Sequence, residues 1–105
     1  MADLYPNRYP LYDTSVAAAA TEKIWHDQRF LYARVTFTLK ATQAGTYDLY
    51  ETDESSNDML AYTISAAANE VVHFTWEPGQ WRLKLNFTNL GAAAATITGG
   101  ALEKP

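Results

Sequence analysis

Few residues of this sequence are of types that do chemistry. It contains two histidines, His26 and His73, and no cysteine, which excludes disulfides, thiolate metal ligands and a cysteine nucleophile. Neither histidine belongs to a His-x-His or His-Glu-x-x-His pattern that would hold zinc. We therefore expect both to be surface side chains, and no metal centre of this kind is predicted.

Oxygen ligands are concentrated in one polar loop. Calcium accepts carboxylate and amide oxygens from flexible loops, and four such side chains lie close together here: Asp53, Glu54, Asn57 and Asp58. The loop lacks the glycine and the spacing of an EF-hand, and acidic surface loops are usually only hydrated. The favoured interpretation of residues 52–58 is a solvated loop without metal.

No arrangement of residues predicts catalysis. Glycoside hydrolysis needs two carboxylates across a cleft, and no pattern links any two of the available acids, Asp48, Glu51 and Glu70. The serines stand outside a nucleophile elbow, and no glycine-rich phosphate loop is present. We predict that the protein is not an enzyme and takes no cofactor.

Alternation of apolar and polar residues predicts strands throughout the chain. It is clearest from Arg29 to Lys40, where alternate residues are apolar: Leu31, Ala33, Val35, Phe37 and Leu39. Such residues share one face of a strand. Six further segments show strand patterns, at 21–27, 46–51, 59–65, 71–76, 81–88 and 93–98. About seven short strands without a convincing helix predict an all-β fold, an antiparallel β-sandwich of the jelly-roll kind.

The segment from Val71 to Phe87 is predicted to be the central hairpin. Each of its two arms places apolar residues on one face, namely Val72, Phe74 and Trp76, then Trp81, Leu83, Leu85 and Phe87. Between the arms, Pro78 presets φ for the first central position of a turn and Gly79 accepts the positive φ of the second. We expect an antiparallel ribbon that packs on the core.

The first residues show neither strand nor helix periodicity. Tyrosines alternate with Pro6 and Pro10, and proline disfavours a helix while it keeps the preceding residue extended. The segment is poor in the Ser, Lys and Glu that are typical of disorder. We predict an extended arm at residues 1–20, laid on its own domain or on a neighbour, and a β-sandwich domain at residues 21–105.

Composition limits the partners. The formal net charge is −4 with eight basic residues, whereas phosphate binding needs a basic surface, so no nucleic-acid partner is expected. No apolar stretch is long enough to span a membrane, and the first residues lack the basic start and apolar run of a signal peptide. We expect no membrane contact and synthesis in the cytoplasm.

Two surfaces are candidates for binding. The arm offers side chains that suit extended docking on another protein: Leu4, Tyr5, Arg8, Tyr9, Leu11 and Tyr12. A candidate ligand face offers aromatic rings beside polar groups, which stack on sugars or anchor a protein interface: Trp25, Tyr32, Arg34, Asp48 and Tyr50. The alternative for this face is that the arm or loops cover its aromatic residues.

Two motifs carry a resemblance to known proteins. Gly45-Thr46-Tyr47-Asp48-Leu49-Tyr50 and Pro78-Gly79-Gln80-Trp81-Arg82-Leu83-Lys84-Leu85 resemble the G-T-Y-x-L and P-G-x-Y-x-L strand entries of small jelly-roll domains. These include domains appended to bacterial proteases and sugar-binding modules. The similarity extends over residues 31–97 and implies the fold. In size, absence of cysteine, β core and extended arm, the whole chain also resembles the decoration (cement) proteins of tailed phage heads.

The second resemblance implies a function. The protein would be a virion structural protein that binds and stabilises the phage head through its N-terminal arm and a sheet edge. Its partners would be the major capsid protein or other virion subunits, and it would be a homo-oligomer, such as a trimer, located in the virion. The alternative is a carbohydrate-binding β-sandwich module that uses the candidate ligand face.

Overall fold

The computed structural model describes residues 7–11, 15–27, 34–52, 55, 57–77 and 82–104. These segments form nine strands: β1 (Asn7–Pro10), β2 (Ser15–Val16), β3 (Thr21–Asp27), β4 (Arg34–Ala41), β5 (Gly45–Thr52), β6 (Asp58–Ala66), β7 (Val71–Trp76), β8 (Arg82–Asn89) and β9 (Ala95–Lys104). Among the described residues, no helix is long and apolar enough to cross a membrane.

The strands form two antiparallel sheets that pack face to face. One has the order β1-β9-β4-β7, with β2 also paired to β9, and the other has the order β3-β8-β5-β6. This arrangement confirms the predicted all-β antiparallel sandwich. The seven predicted strands correspond to β3–β9, and the two short strands β1 and β2 come from the segment that was predicted to be an arm.

Aromatic side chains join the two sheets at the centre of the core. Phe37 of β4 contacts Trp25 of β3 edge to face, with ring centroids 5.0 Å apart, and lies 6.4 Å from the Trp76 ring of β7. All three side chains are buried. The alternation on β4, β5 and β8 places every second residue in this core, as the sequence pattern predicted.

The predicted central hairpin is wrong. β7 pairs with β4, whereas β8 pairs with β3 and β5, so the chain passes from one sheet to the other between them. The predicted inward faces of both strands are nevertheless correct, because a connection between facing sheets buries the same alternate residues as a hairpin would. Residues 78–81, which include the predicted turn, lie outside the described residues.

Part of the N-terminal segment lies on the chain's own five-stranded sheet. Residues 7–10 pair antiparallel with residues 100–103 of β9, Leu11 is buried in the core and Val16 is fully buried. Of the two placements left open for the arm, the described residues therefore show the one on the same domain. Residues 1–6 and 12–14 lie outside the described residues.

One buried polar side chain holds the loops at one end of the sandwich. The Asn89 side-chain amide donates hydrogen bonds to the carbonyl oxygens of Val16 and Ala93, at 3.0 and 2.8 Å. Its Oδ1 accepts a hydrogen bond from the Gly91 backbone N–H at 2.8 Å. A single side chain thus satisfies backbone groups from three positions in the chain.

We expect Asn89→Ala to reduce the free energy of unfolding by about 2–4 kcal/mol, because it leaves several buried backbone groups without partners. Urea denaturation monitored by tryptophan fluorescence measures the change. Thr88→Ala, a neighbouring substitution on the outer face of the same strand, is the matched control and should cost less than about 1 kcal/mol. Equal losses for the two variants would contradict this role for Asn89.

Candidate functional site

The outer face of the four-stranded sheet brings charged and aromatic side chains together. Tyr50 of β5 is the cross-strand partner of Lys84 on one side and Leu60 on the other. The Lys84 ammonium lies 5.0 Å from the centroid of the Tyr50 ring, within the range of a cation–π contact. The lysine therefore covers one face of this ring.

Lys84 also forms an ion pair with Asp58 at the start of β6. The Asp58 carboxylate accepts a second hydrogen bond from the Thr52 hydroxyl at 2.7 Å. The hydrogen bond from Lys84 and, to a lesser extent, that from Thr52 hold the pKa of Asp58 below its usual range. Lysine, tyrosine and aspartate from three adjacent strands thus form a connected group with compensated charge.

A second polar row crosses the same face one step along the strands. Asp48 of β5 lies opposite Asn86 of β8 and Thr63 of β6, and its carboxylate accepts a hydrogen bond from the Thr63 hydroxyl at 2.8 Å. Lys23 of β3 is the next residue in the row, opposite Asn86. Asp48 and Tyr50, two members of the predicted ligand face, therefore do share one surface.

The other members of the predicted ligand face are not placed with them. Trp25 is only 1% exposed, so its assignment to an outward face is wrong: a bulge between Lys23 and Trp25 shifts the alternation on β3, so that Ile24 and Trp25 are both buried. Arg34 is exposed on β4, in the opposite sheet. Tyr32 lies outside the described residues.

The predicted arm residues are only partly described. Arg8 and Tyr9 belong to β1, where they pair with Leu102 and Ala101 of β9. Leu11 is buried in the chain's own core, so it anchors the segment to its own domain and is not an exposed contact. The remaining three, Leu4, Tyr5 and Tyr12, lie outside the described residues.

The structure reveals a surface that sequence reasoning missed, which we call the β6 edge: strand β6 with its exposed apolar side chains Met59, Leu60 and Tyr62. These are 42%, 54% and 48% exposed. Within the described part of the chain, β6 pairs only with β5, so no described strand satisfies the backbone hydrogen-bonding groups on its other side. The signal in the sequence is that residues 59–66 contain no charged residue.

The structure describes both histidines and part of the predicted solvated loop. Asp53 and Glu54 lie outside the described residues, and within the described ranges no group of three or more His, Cys, Asp or Glu residues is arranged to hold a metal ion. His73 is exposed, and its Nδ1 lies 3.0 Å from the Thr38 hydroxyl. His26 is half-buried.

Several solved structures have similar folds, among them the following three. The PBSX exported protein XepA has a TM-score of 0.70 and 13% identity, over 90% of this chain but only 36% of XepA, so the chain spans about a third of that protein. The SPBc2 prophage-derived protein YomS has a TM-score of 0.58 and 11% identity, over 92% of this chain and 93% of YomS. The CBM1 domain of BiXyn10A, in its apo form, has a TM-score of 0.51 and 12% identity, over 89% of this chain and 71% of that chain.

At these identities the likeness shows the fold alone. No protein-family model matches the sequence, and no curated protein matches it significantly.

Proposed function

We propose that the protein is a capsid decoration (cement) protein, a homo-oligomer that binds the phage head through its N-terminal segment and a sheet edge. The observation that carries the proposal is the position of β1. It pairs with β9 on one side and with no described strand on the other, so it is an edge strand that a neighbouring subunit can extend.

The anchoring of this segment supports the proposal. Leu11 and Val16 are buried in the sandwich, so the chain on both sides of residues 12–14 is fixed to the domain. A contact made by residues 1–6 would therefore be transmitted directly to the folded body. When a second contact is made through a sheet edge of the same body, both must be released before the protein dissociates, which raises the overall affinity.

The fold that this chain shares with phage-derived proteins supports a role in a phage. YomS is prophage-derived and matches over nearly its full length, and XepA contains a domain of this shape. A fold of this size thus occurs in a prophage-derived protein, which is the setting that the proposal requires.

We expect deletion of residues 1–6 to weaken binding to purified phage heads that lack this protein by about 100-fold, since one of two linked contacts is lost. Binding is measured by co-sedimentation with the heads. The matched control is Leu90→Ala, which truncates an exposed loop residue and should leave binding unchanged. Circular dichroism and a urea melt establish that the truncated protein is folded, and undiminished binding by that folded protein would refute the mechanism.

A carbohydrate-binding module is the second candidate, because the CBM1 domain of BiXyn10A shares the fold. Two observations weigh against it in this chain: Trp25 is buried, and Lys84 covers a face of the Tyr50 ring, on which a sugar would stack. Binding on a glycan array that Tyr50→Ala abolishes would favour this candidate over the capsid protein.

A further inference from the structure

We propose that the β6 edge is the sheet edge through which this protein docks, and that its partner is an extended, uncharged strand of another protein flanked on both sides by Lys or Arg. The inference rests on the proposed function, to which it adds the location of the second contact and the chemistry of the partner.

Exposed apolar side chains are concentrated on this side of the sandwich. Of the five large apolar side chains that are exposed among the described residues, four lie on β6 and β7: Met59, Leu60, Tyr62 and Val71, the fifth being Leu90. β6 and β7 each lie at one edge of their sheet. Both sheets therefore end on the same side in strands that expose apolar surface.

The other long edge strand carries features that prevent pairing, and these two largely lack them. β3 contains Glu22, Lys23 and a bulge, which block the addition of another strand. β1, the remaining edge strand, has four residues and ends in Pro10, so it offers a partner a shorter stretch than β6 does. Neither residues 59–66 of β6 nor residues 71–76 of β7 contain Asp, Glu, Lys, Arg or Pro. β6 has a bulge of its own near Tyr50, which leaves the stretch from Tyr62 to Ala66 regular and available.

β7 runs back along β6 in the facing sheet. The rings of Tyr62 and Phe74 are in edge-to-face contact at 5.2 Å. Near the other end, the Trp76 indole N–H donates a hydrogen bond to Glu51 at 3.2 Å, and Glu51 is the cross-strand partner of Met59. The end of β7 therefore lies beside the start of β6, and the start of β7 lies beside the end of β6.

This geometry places an exposed acid at each end of the β6 edge. Glu70 lies just before β7, where its carboxylate accepts a hydrogen bond from the backbone N–H of Ala67 at 2.8 Å, and Glu77 follows Trp76 at the other end of β7. Both are exposed. Asp58 lies at the start of β6, where Lys84 compensates its charge. The described residues of β5, β6, β7 and the turns beside them include five acids and no Lys or Arg, so these strands favour a partner that carries basic groups.

The same charges disfavour a second copy of this chain as the occupant. If β6 paired with β6 of another copy across a twofold axis, the strands would run antiparallel and Glu70 of each copy would approach the acidic end of the other. Like charges brought together in this way oppose association. An apolar strand with a basic residue at each end satisfies the backbone groups on the outer side of β6, covers Met59 and Tyr62, and meets both acids.

The test uses the full chain and two blocked synthetic peptides, Lys-Val-Thr-Val-Thr-Val-Lys and its counterpart with Glu at both ends, followed by amide NMR shifts. We expect the Lys-flanked peptide to shift the amides of residues 59–66 and to bind roughly fivefold more tightly than the Glu-flanked peptide, because two exposed ion pairs replace two repulsions. The difference should shrink at high salt. Tyr62→Lys and Leu60→Lys should each weaken binding, and Leu90→Lys, at another exposed apolar position, should not.

Equal affinities of the two peptides would overturn the assigned chemistry, and shifts confined to another strand would overturn the assigned edge. A dimer in sedimentation analysis that Tyr62→Lys dissociates would identify a second copy as the occupant instead. Because this titration needs no capsid, it separates the two proposals: docking at β6 with head binding unaffected by deletion of residues 1–6 would refute the arm mechanism alone.

Discussion

Replacement of Phe37 by alanine is expected to lower the free energy of unfolding by about 3–5 kcal/mol, the largest loss among the substitutions considered. The Phe37 ring contacts Trp25 of the facing sheet and lies near Trp76 of its own sheet, so its removal leaves a cavity between two large side chains. A domain of this size is typically stable by about 5–15 kcal/mol. The loss is therefore a large fraction of the whole stability of such a domain.

Urea denaturation followed by tryptophan fluorescence measures this loss, since two of the indoles adjoin the cavity. Phe37→Leu keeps most of the side-chain volume and should cost less than about 1.5 kcal/mol. Val71→Ala truncates a side chain of the same sheet that is 61% exposed, and should cost less than about 1 kcal/mol. A loss for Phe37→Ala no larger than that for Val71→Ala would mean that the two sheets are not joined through this ring.

Replacement of Gly99 by alanine is expected to cost about 3 kcal/mol or more, a large effect for the addition of one methyl group. Gly99 lies inside β9 with φ of +126°, a conformation that residues with a Cβ rarely adopt. A Cβ built there would also overlap the backbone carbonyl oxygen of Thr38 on the adjacent strand. The nearest atoms belong to the backbone of Thr38 and Leu39 in the paired strand β4. They cannot move aside without breaking hydrogen bonds between β4 and β9.

Thermal and urea unfolding of Gly99→Ala and of Thr98→Ala provide the comparison. Thr98 is exposed on the same strand, and its hydroxyl makes only a long hydrogen bond of 3.5 Å, so its truncation should cost less than about 1 kcal/mol. If Gly99→Ala were as stable as Thr98→Ala, the positive φ and the close approach at this position would have to be abandoned.

Gly99 also shows where a sequence pattern was misleading. The final strand was predicted to end at Thr98, before two glycines, yet β9 continues to Lys104 and pairs with β4 from Ile97 to Lys104. Glycine pairs commonly mark turns, but a glycine in a strand also marks the close approach of a neighbouring backbone. Only the position of Thr38 on the adjacent strand distinguishes the two.

The candidate site was predicted in part, and the misses have specific causes. Asp48 and Tyr50 were assigned to one outward face correctly, because alternation on β5 is unbroken on their side. Trp25 was misassigned because a bulge in β3 adds one residue and reverses the face. The β6 edge was missed because an edge strand differs from a central strand in the number of strands that pair with it. The sequence of β6 alone does not reveal that number.

The sequence by itself determined the strands and the side chains that they bury, as at Val35, Phe37 and Leu39, because strand alternation is a local property of two-residue period. The tertiary structure alone decided which strands are neighbours. It sent β7 and β8 to different sheets, placed residues 7–10 on β9 and left β6 at an edge. Backbone hydrogen bonds between strands are the same for every sequence, so pairing is settled by how the buried faces pack together.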